Sequence, residues 1–252
     1  MNQAATNNSR RKEEVLRQLK GKLIVSCQAR VGWPMYGAEI MAAFAAAACQ
    51  GGAAGIRATG VDNITKIKER VSLPIIGINK QFRDDYEVYI TPTYESAREI
   101  LETGIEIVAI DATPRQRPGG ETVGQILARI REDYPDVMVM GEISTIEEAE
   151  AVIPMGFDLI STTLSGYTKE SECVKTVNLE LIRRICAITD IPVIAEGKIA
   201  REEEAVMALK AGAHAVVVGT SITRPEIITE RYVGALKEYG AGDRCNTDGG
   251  MS

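Results

Sequence analysis

One histidine, one tryptophan and five cysteines in 252 residues leave few soft ligands for metal chemistry. His214 is the sole imidazole, and Cys27, Cys49, Cys173, Cys186 and Cys245 form no CxxC pair, so no metal site is expected. The cysteine count is odd and no apolar signal-like segment opens the chain. Free thiols and a cytoplasmic location are therefore expected. Apolar runs of about 18 residues are missing, which excludes a transmembrane helix from the reading. With a net charge of −6 and no stripe of Lys and Arg, the chain lacks the basic surface that nucleic acid requires. The same field weakly repels anions, so a bound phosphate has to be held by local donors. Aromatic residues make up only 5%. Packing falls to small and aliphatic side chains, as expected where helices lie against buried parallel strands.

What the chain does have is alternation. Short Val- and Ile-rich runs occur at 23–28, 54–58, 74–80, 105–112, 137–143, 159–164, 192–197 and 215–221, with helical patterns such as GAEIMAAFAAAACQ (37–50) between them. Gly52, Gly104, Gly156 and Gly212 each close a helix just before an even-numbered strand, at spacings of 52, 52 and 56 residues. Each repeat is strand, helix, strand, helix, and four repeats give eight strands. The expected fold is a single α/β domain, a (β/α)8 TIM barrel. An open doubly wound sheet is the alternative, but the turn after the first strand, SCQARVG, lacks GxGxxG. Residues 1–12 read as a disordered leader, 13–239 as the barrel (opening with a short helix stopped by Gly21) and 240–252 as a flexible tail.

Barrel chemistry gathers at the C-terminal strand ends. Here those ends carry Gln28, Arg57, Lys80, Asp111, Glu142, Thr162 with Thr163, Glu196, and Gly219 with Thr220. Charges following apolar runs are costly unless paired or used. Lys80 follows such a run, where burial and nearby cations lower a lysine pKa from about 10.4 and allow a neutral amine base. Glu196 ends strand seven, opposite strand three in an eight-membered ring. Two proton-transferring groups facing each other suit moving a proton from one face of a carbon to the other. A plain Lys80–Glu196 ion pair is the structural alternative. Arg57 offers forked donors for an oxyanion but could equally pair with Asp111 or Glu142. Asp111 and Glu142 are candidates for substrate contact or for supporting a neighbour. Gly197, Gly219, Thr220 and Ser221, in the loops after strands seven and eight, are candidates for phosphate. His214 lies on the opposite, stability face, and Cys27 is expected to point into the helix layer.

Ordered strings across the chain, among them LIVSCQA (23–29), QGGAAGIRA (50–58), YITPT (89–93), RPGGE (117–121), STTLSGYT (161–168), PVIAEGKI (192–199) and ITRP (222–225), resemble the N-acetylmannosamine-6-phosphate 2-epimerases from about Lys20 to Val233. The resemblance implies a barrel of the ribulose-phosphate-binding type and interconversion of N-acetylmannosamine 6-phosphate and N-acetylglucosamine 6-phosphate, in sialic-acid breakdown. It implies Lys80 and Glu196 as the catalytic pair and Gln28, Arg57 and Arg224 as substrate contacts. The family usually has Asp where GEIST places Glu142. The expected partner is a small phosphorylated N-acetyl amino sugar, with no cofactor and with a homodimer as the quaternary expectation. A Schiff-base aldolase acting through Lys80 and a non-catalytic sugar-phosphate sensor are the competing readings.

Overall fold

The computed structural model describes residues 3–246, and side chains from 9 to 239. A helix, α1 (Gln3–Leu19), leads into eight parallel strands that close in sequence order: β1 (Leu23–Cys27), β2 (Gly55–Thr59), β3 (Ile75–Ile78), β4 (Ile107–Asp111), β5 (Met138–Glu142), β6 (Leu159–Ser161), β7 (Val193–Ala195) and β8 (Ala215–Val218). β8 pairs with β1, Leu23 opposite Val216, and the sheet has no free edge. The outer ring comprises α2 (Ala38–Gln50), α3 (Val61–Arg70), α4 (Tyr94–Leu101), α5 (Val123–Asp133), α6 (Ile146–Val152), α7 (Leu179–Ile188) and α8 (Glu202–Lys210). The short α9 (Thr220–Thr223) and the long α10 (Pro225–Asn246) follow β8. The expected (β/α)8 barrel is therefore the fold.

Local chemistry explains where the elements start and stop. Thr93, Thr122 and Thr145 cap α4, α5 and α6 through reciprocal capping boxes. These caps fix each chain reversal above the strand ends. At the other end of the barrel, Gly52, Gly104, Gly156 and Gly212 all take left-handed φ values, from +72° to +111°, so the repeat read from the sequence marks four equivalent turns into even strands.

Alternation along the strands sorts side chains into two apolar sets. Val25, Cys27, Ile56, Val108, Ile160 and Val216 face the helices. Ile24, Ile78, Ala109, Met140, Ile194 and Val217 fill the barrel. Cys27 lies in the helix layer, as expected, and burial pushes its thiol up to about 12.

Two expectations about the ends change. Of residues 1–12, read as a disordered leader, 3–12 belong to α1, and 1–2 lie outside the described residues. No Pro or Gly interrupts the chain before Gly21, and Lys12 pairs with Asp158 at 3.6 Å and Arg11 with Glu106 at 3.8 Å, tying α1 to residues just before β6 and β4. Val15 and Leu19 join the interior cluster, so the helix plugs the N-terminal mouth, where His214 Nε2 contacts the Leu16 carbonyl at 2.8 Å. At the other end, α10 continues to Asn246, into the expected tail, and residues 247–252 lie outside the described residues. Among the described residues no helix is long and apolar enough to cross a membrane. Because Leu19 is only 1% exposed and fills the floor of the barrel, Leu19→Ala is expected to cost about 2–5 kcal/mol in urea-monitored unfolding. A loss of a few tenths would mean that α1 is not part of the core.

Candidate active site

The polar strand ends continue the inward alternation. Lys80, Asp111, Glu142, Glu196 and Gly219 each lie two residues beyond an interior residue: Ile78, Ala109, Met140, Ile194 and Val217. Gln28 and Thr163 lie four beyond Ile24 and Leu159. Arg57 is mid-strand in β2, one layer deeper than expected, between outward-facing Ile56 and Ala58.

Arg57 is 1% exposed and anchors the group. Its Nη2 donates to Glu142 Oε1, and its Nε lies 3.2 Å from Glu196 Oε2. Burial alone would lower the guanidinium pKa, but the two carboxylates outweigh it and raise it. Glu142 Oε2 stays buried without a hydrogen-bond partner. β6 holds Glu196 from the other side: Thr163 Oγ1 donates to Glu196 Oε2 at 3.1 Å, and Thr162 Oγ1 both donates to the Glu196 carbonyl and accepts from its N–H. Burial raises the Glu196 pKa, partly opposed by Arg57 and reinforced by Glu142.

Lys80 enters from the opposite side. Its backbone N–H donates to Thr59 Oγ1 at 3.1 Å, and it bridges to Ile90. The ammonium lies 6.0 Å from the Tyr89 ring centre, and among the described residues no ion pair joins it to Glu196 or to any other carboxylate. The simple Lys80–Glu196 salt bridge weighed from the sequence is not formed. Burial and then the charge of Arg57 lower the Lys80 pKa to about 8, against the opposing pull of Glu196 and Glu142.

Two adjoining cavities open at this mouth and share Gln28 and Trp33. The first is lined by Thr163, Glu196, Gly197, Gly219, Thr220 and Arg224. The second surrounds Lys80. Three expected residues sit elsewhere. Asp111 takes 2.7 Å contact from Arg115 and accepts from the Thr113 N–H and hydroxyl, so its carboxylate is committed to its own loop. Of its two named alternatives, Arg57 pairs with Glu142 and not with Asp111. Glu142 lies beneath the cavities rather than lining the first. The Ser221 hydroxyl donates to the Ala200 carbonyl at 3.1 Å and ties the β8 loop to the β7 loop. The cavity wall also includes Tyr89, Tyr167 and Lys198, which strand periodicity did not single out because all three lie in loops. Lys198, at φ +57°, donates to the Val174 carbonyl at 2.6 Å. Trp33 stacks on the Arg224 guanidinium at 3.6 Å. Among the described residues no His, Cys, Asp or Glu cluster could hold a metal ion.

A closed barrel with a poised amine and a half-buried carboxylate at the C-terminal strand ends defines a (β/α)8 enzyme of the acid–base type. Residues 41–238 match the model of the NanE family, described as "Putative N-acetylmannosamine-6-phosphate epimerase", and the chain belongs to that family. A "Putative N-acetylmannosamine-6-phosphate 2-epimerase" of Caldanaerobacter subterraneus subsp. tengcongensis is 51% identical over 225 residues, covering 89% of this chain and 95% of that protein. One from Enterobacter sp. (strain 638) is 46% identical over 227 residues, covering 89% and 97%. The solved N-acetylmannosamine-6-phosphate 2-epimerase of Clostridium perfringens superimposes with a TM-score of 0.84 at 47% identity, covering 87% of this chain and 95% of that one.

The depressed amine has a consequence for stability. Below pH 8 Lys80 is charged in both the folded and unfolded chain, and the fold bears the full cost of burying the charge. Between pH 8 and the unfolded value of about 10.4 the folded state binds fewer protons, so stability gained from losing that charge rises with pH. Lys80→Met is therefore expected to be more stable than the parent at pH 7, with a margin that shrinks from pH 8 to 10. Denaturant unfolding across this range checks it, and a margin independent of pH would contradict the burial of an ammonium here.

Proposed function

We propose that this chain interconverts N-acetylmannosamine 6-phosphate and N-acetylglucosamine 6-phosphate by moving a proton at C2 of the ring-opened sugar. The observation that carries this reading is a pKa-lowered amine just after β3, with no ion-pair partner among the described residues, facing a carboxylate restrained just after β7. C2 becomes acidic once ring opening places an aldehyde beside it. The amine of Lys80 takes the C2 proton on one face, and the carboxyl of Glu196, whose raised pKa favours the protonated form, returns one on the other. Reversal exchanges the two roles. The positive field of Arg57 favours the enolate oxygen. Gly197, Gly219, Thr220 and Arg224 hold the phosphate, with Ser221 fixing the two loops against each other. Gln28 and Thr163 contact the sugar or the acid–base pair; Asp111 and Glu142 support the rim from behind. The route calls for no metal and no organic cofactor. It belongs to amino-sugar breakdown in the cytoplasm.

In heavy water, turnover is expected to place deuterium at C2. Lys80→Ala and Glu196→Gln are each expected to lower kcat by about 10²–10⁴. Turnover without solvent exchange, or unimpaired turnover by Lys80→Ala, would overturn the reading. A depressed amine also suits a Schiff base. Borohydride in the presence of substrate leaves no adduct if the epimerase reading holds.

The homodimer expectation also belongs here. α2 turns Met41, Ala42 and Ala45 into its own barrel. Tyr232, Leu236 and Tyr239, each at least 70% exposed, form one stripe on α10 that a second copy would cover. Sedimentation equilibrium should give twice 27.3 kDa, and Leu236→Glu should shift the mass toward one copy.

A further inference from the structure

Arg224 leaves the backbone at the junction of α9 and α10, where its carbonyl accepts from the Ile227 and Ile228 N–H groups, both at 3.1 Å. Thr223 Oγ1 donates to the Ser26 carbonyl at 2.9 Å and ties that junction to β1. The backbone is fixed, but an arginine arm keeps several rotatable bonds, and ordering them costs entropy. Two contacts hold its end. The guanidinium lies 3.6 Å from the centre of the Trp33 ring, in the loop after β1, and its Nε donates to Glu226 Oε1 at 2.7 Å. One face and one edge are thereby taken. The forked end, Nη1 and Nη2, has no partner among the described residues, and Arg224 lines the first cavity. Trp33 is itself steadied: its N–H donates to the Arg30 carbonyl and its own carbonyl accepts from the Tyr36 N–H, both at 3.0 Å. The Arg30 guanidinium, which roofs the second cavity, stands 5.4 Å from the Trp33 ring centre and 4.1 Å from that of Phe82. Phe82, Arg30, Trp33 and Arg224 so form a row of alternating ring and cation, from the loop after β3 to the end of α9.

Resting on the reading that places the substrate phosphate at Arg224, we infer that Trp33 is a positioning residue for that phosphate: its ring holds the Arg224 guanidinium so that Nη1 and Nη2 present a preformed fork to two phosphate oxygens. A fork of this kind binds an oxyanion through two parallel hydrogen bonds, but only when its plane is already set. Glu226 could set the plane alone, at the expense of offsetting the charge that the phosphate needs. The indole face attracts a cation without carrying a charge of its own and takes none of the forked donors. Trp33 therefore orients the arm and leaves its charge and its free donors for the substrate. In a chain of net charge −6 that local donor is not helped by the overall field. The phosphate is chemically unchanged while a proton moves at C2, so orienting it contributes alike to substrate and transition state. Such uniform binding appears in KM rather than in kcat. The simpler role for Trp33, a wall of the cavity that touches the sugar directly, would not depend on Arg224 at all.

The test is a double-mutant cycle on KM for N-acetylmannosamine 6-phosphate, using the parent, Trp33→Ala, Arg224→Met and the two changes together. Trp33→Ala is expected to raise KM about 5–30-fold, the weight of one partly desolvated cation–π contact, with kcat within about twofold. Trp33→Tyr keeps an aromatic face and is expected to hold KM within about threefold of the parent. With Arg224→Met already in place, adding Trp33→Ala is expected to change KM by less than about twofold. A kcat retained by each variant shows that it is folded. Equal KM losses in the two backgrounds, or a Trp33→Ala loss confined to kcat, would overturn the positioning role and leave the epimerase reading standing. An unchanged KM in Arg224→Met would take Arg224 out of the phosphate site and the role of Trp33 with it, again without touching the epimerase reading. No turnover by the parent would overturn both.

Discussion

A guanidinium buried on β2 sets the terms for everything at the barrel mouth. Arg57 cannot shed its proton at any ordinary pH, so the fold has to answer its charge rather than neutralise it. Glu142 and Glu196 supply that answer. Such an arrangement is weak as a source of stability, because desolvation consumes much of the Coulombic gain, but removing one member leaves an uncompensated charge at a cost of about 3–5 kcal/mol. Its value lies in constraint. Glu196 is held by Arg57 below and by Thr163 at the side, and so does not swing across to Lys80. Lys80 is left partly buried beside a fixed cation, with no carboxylate at ion-pair distance among the described residues, and under that condition its pKa falls to about 8.

Much of this was legible in the chain because buried parallel strands obey a period of two. In LPIIGINK and IPVIAEGK an apolar run ends on a charged residue in phase with interior positions, and Lys80 and Glu196 do continue the rows begun by Ile78 and Ile194. The glycine repeat was equally readable, since a left-handed turn at each of four equivalent corners leaves a mark that side-chain packing does not erase. Strand count and closure follow from these two regularities.

Phase alone does not say which partner an inward charge will choose. Asp111 and Glu142 sit opposite each other in register, yet one turns to Arg115 and Thr113 while the other turns to Arg57. The difference comes from the 112–122 loop, whose course depends on left-handed turns at Gly119 and Gly120 that no hydrophobic pattern reveals. Ser221 shows the same limit: its hydroxyl is spent on the Ala200 carbonyl, in a loop distant in sequence. The polar start of α1 read as disorder because its stabilising contacts, with Glu106 and Asp158, lie far along the chain. The roof over the second cavity depends on Arg30 meeting Phe82, again a contact between loops that no local signal announces.

For the proposed reaction, the placing of this fixed cation resolves a conflict between acid and base. A proton that leaves one face of a carbon and returns to the other needs two groups on opposite sides of it, one basic and one acidic. In an empty, poorly solvated site those groups would ordinarily collapse into an ion pair, with the amine protonated and the carboxylate bare, the wrong states for the work. Arg57 and Thr163 restrain Glu196, while burial raises its pKa and lowers that of Lys80, so the two affinities for a proton are drawn together. The apolar layer of Ile78, Ala109, Met140 and Ile194 beneath them, sealed from below by Leu19, keeps water from undoing that balance. The stability given up by burying these charges is thus confined to one layer of the barrel, at the single end where substrate enters.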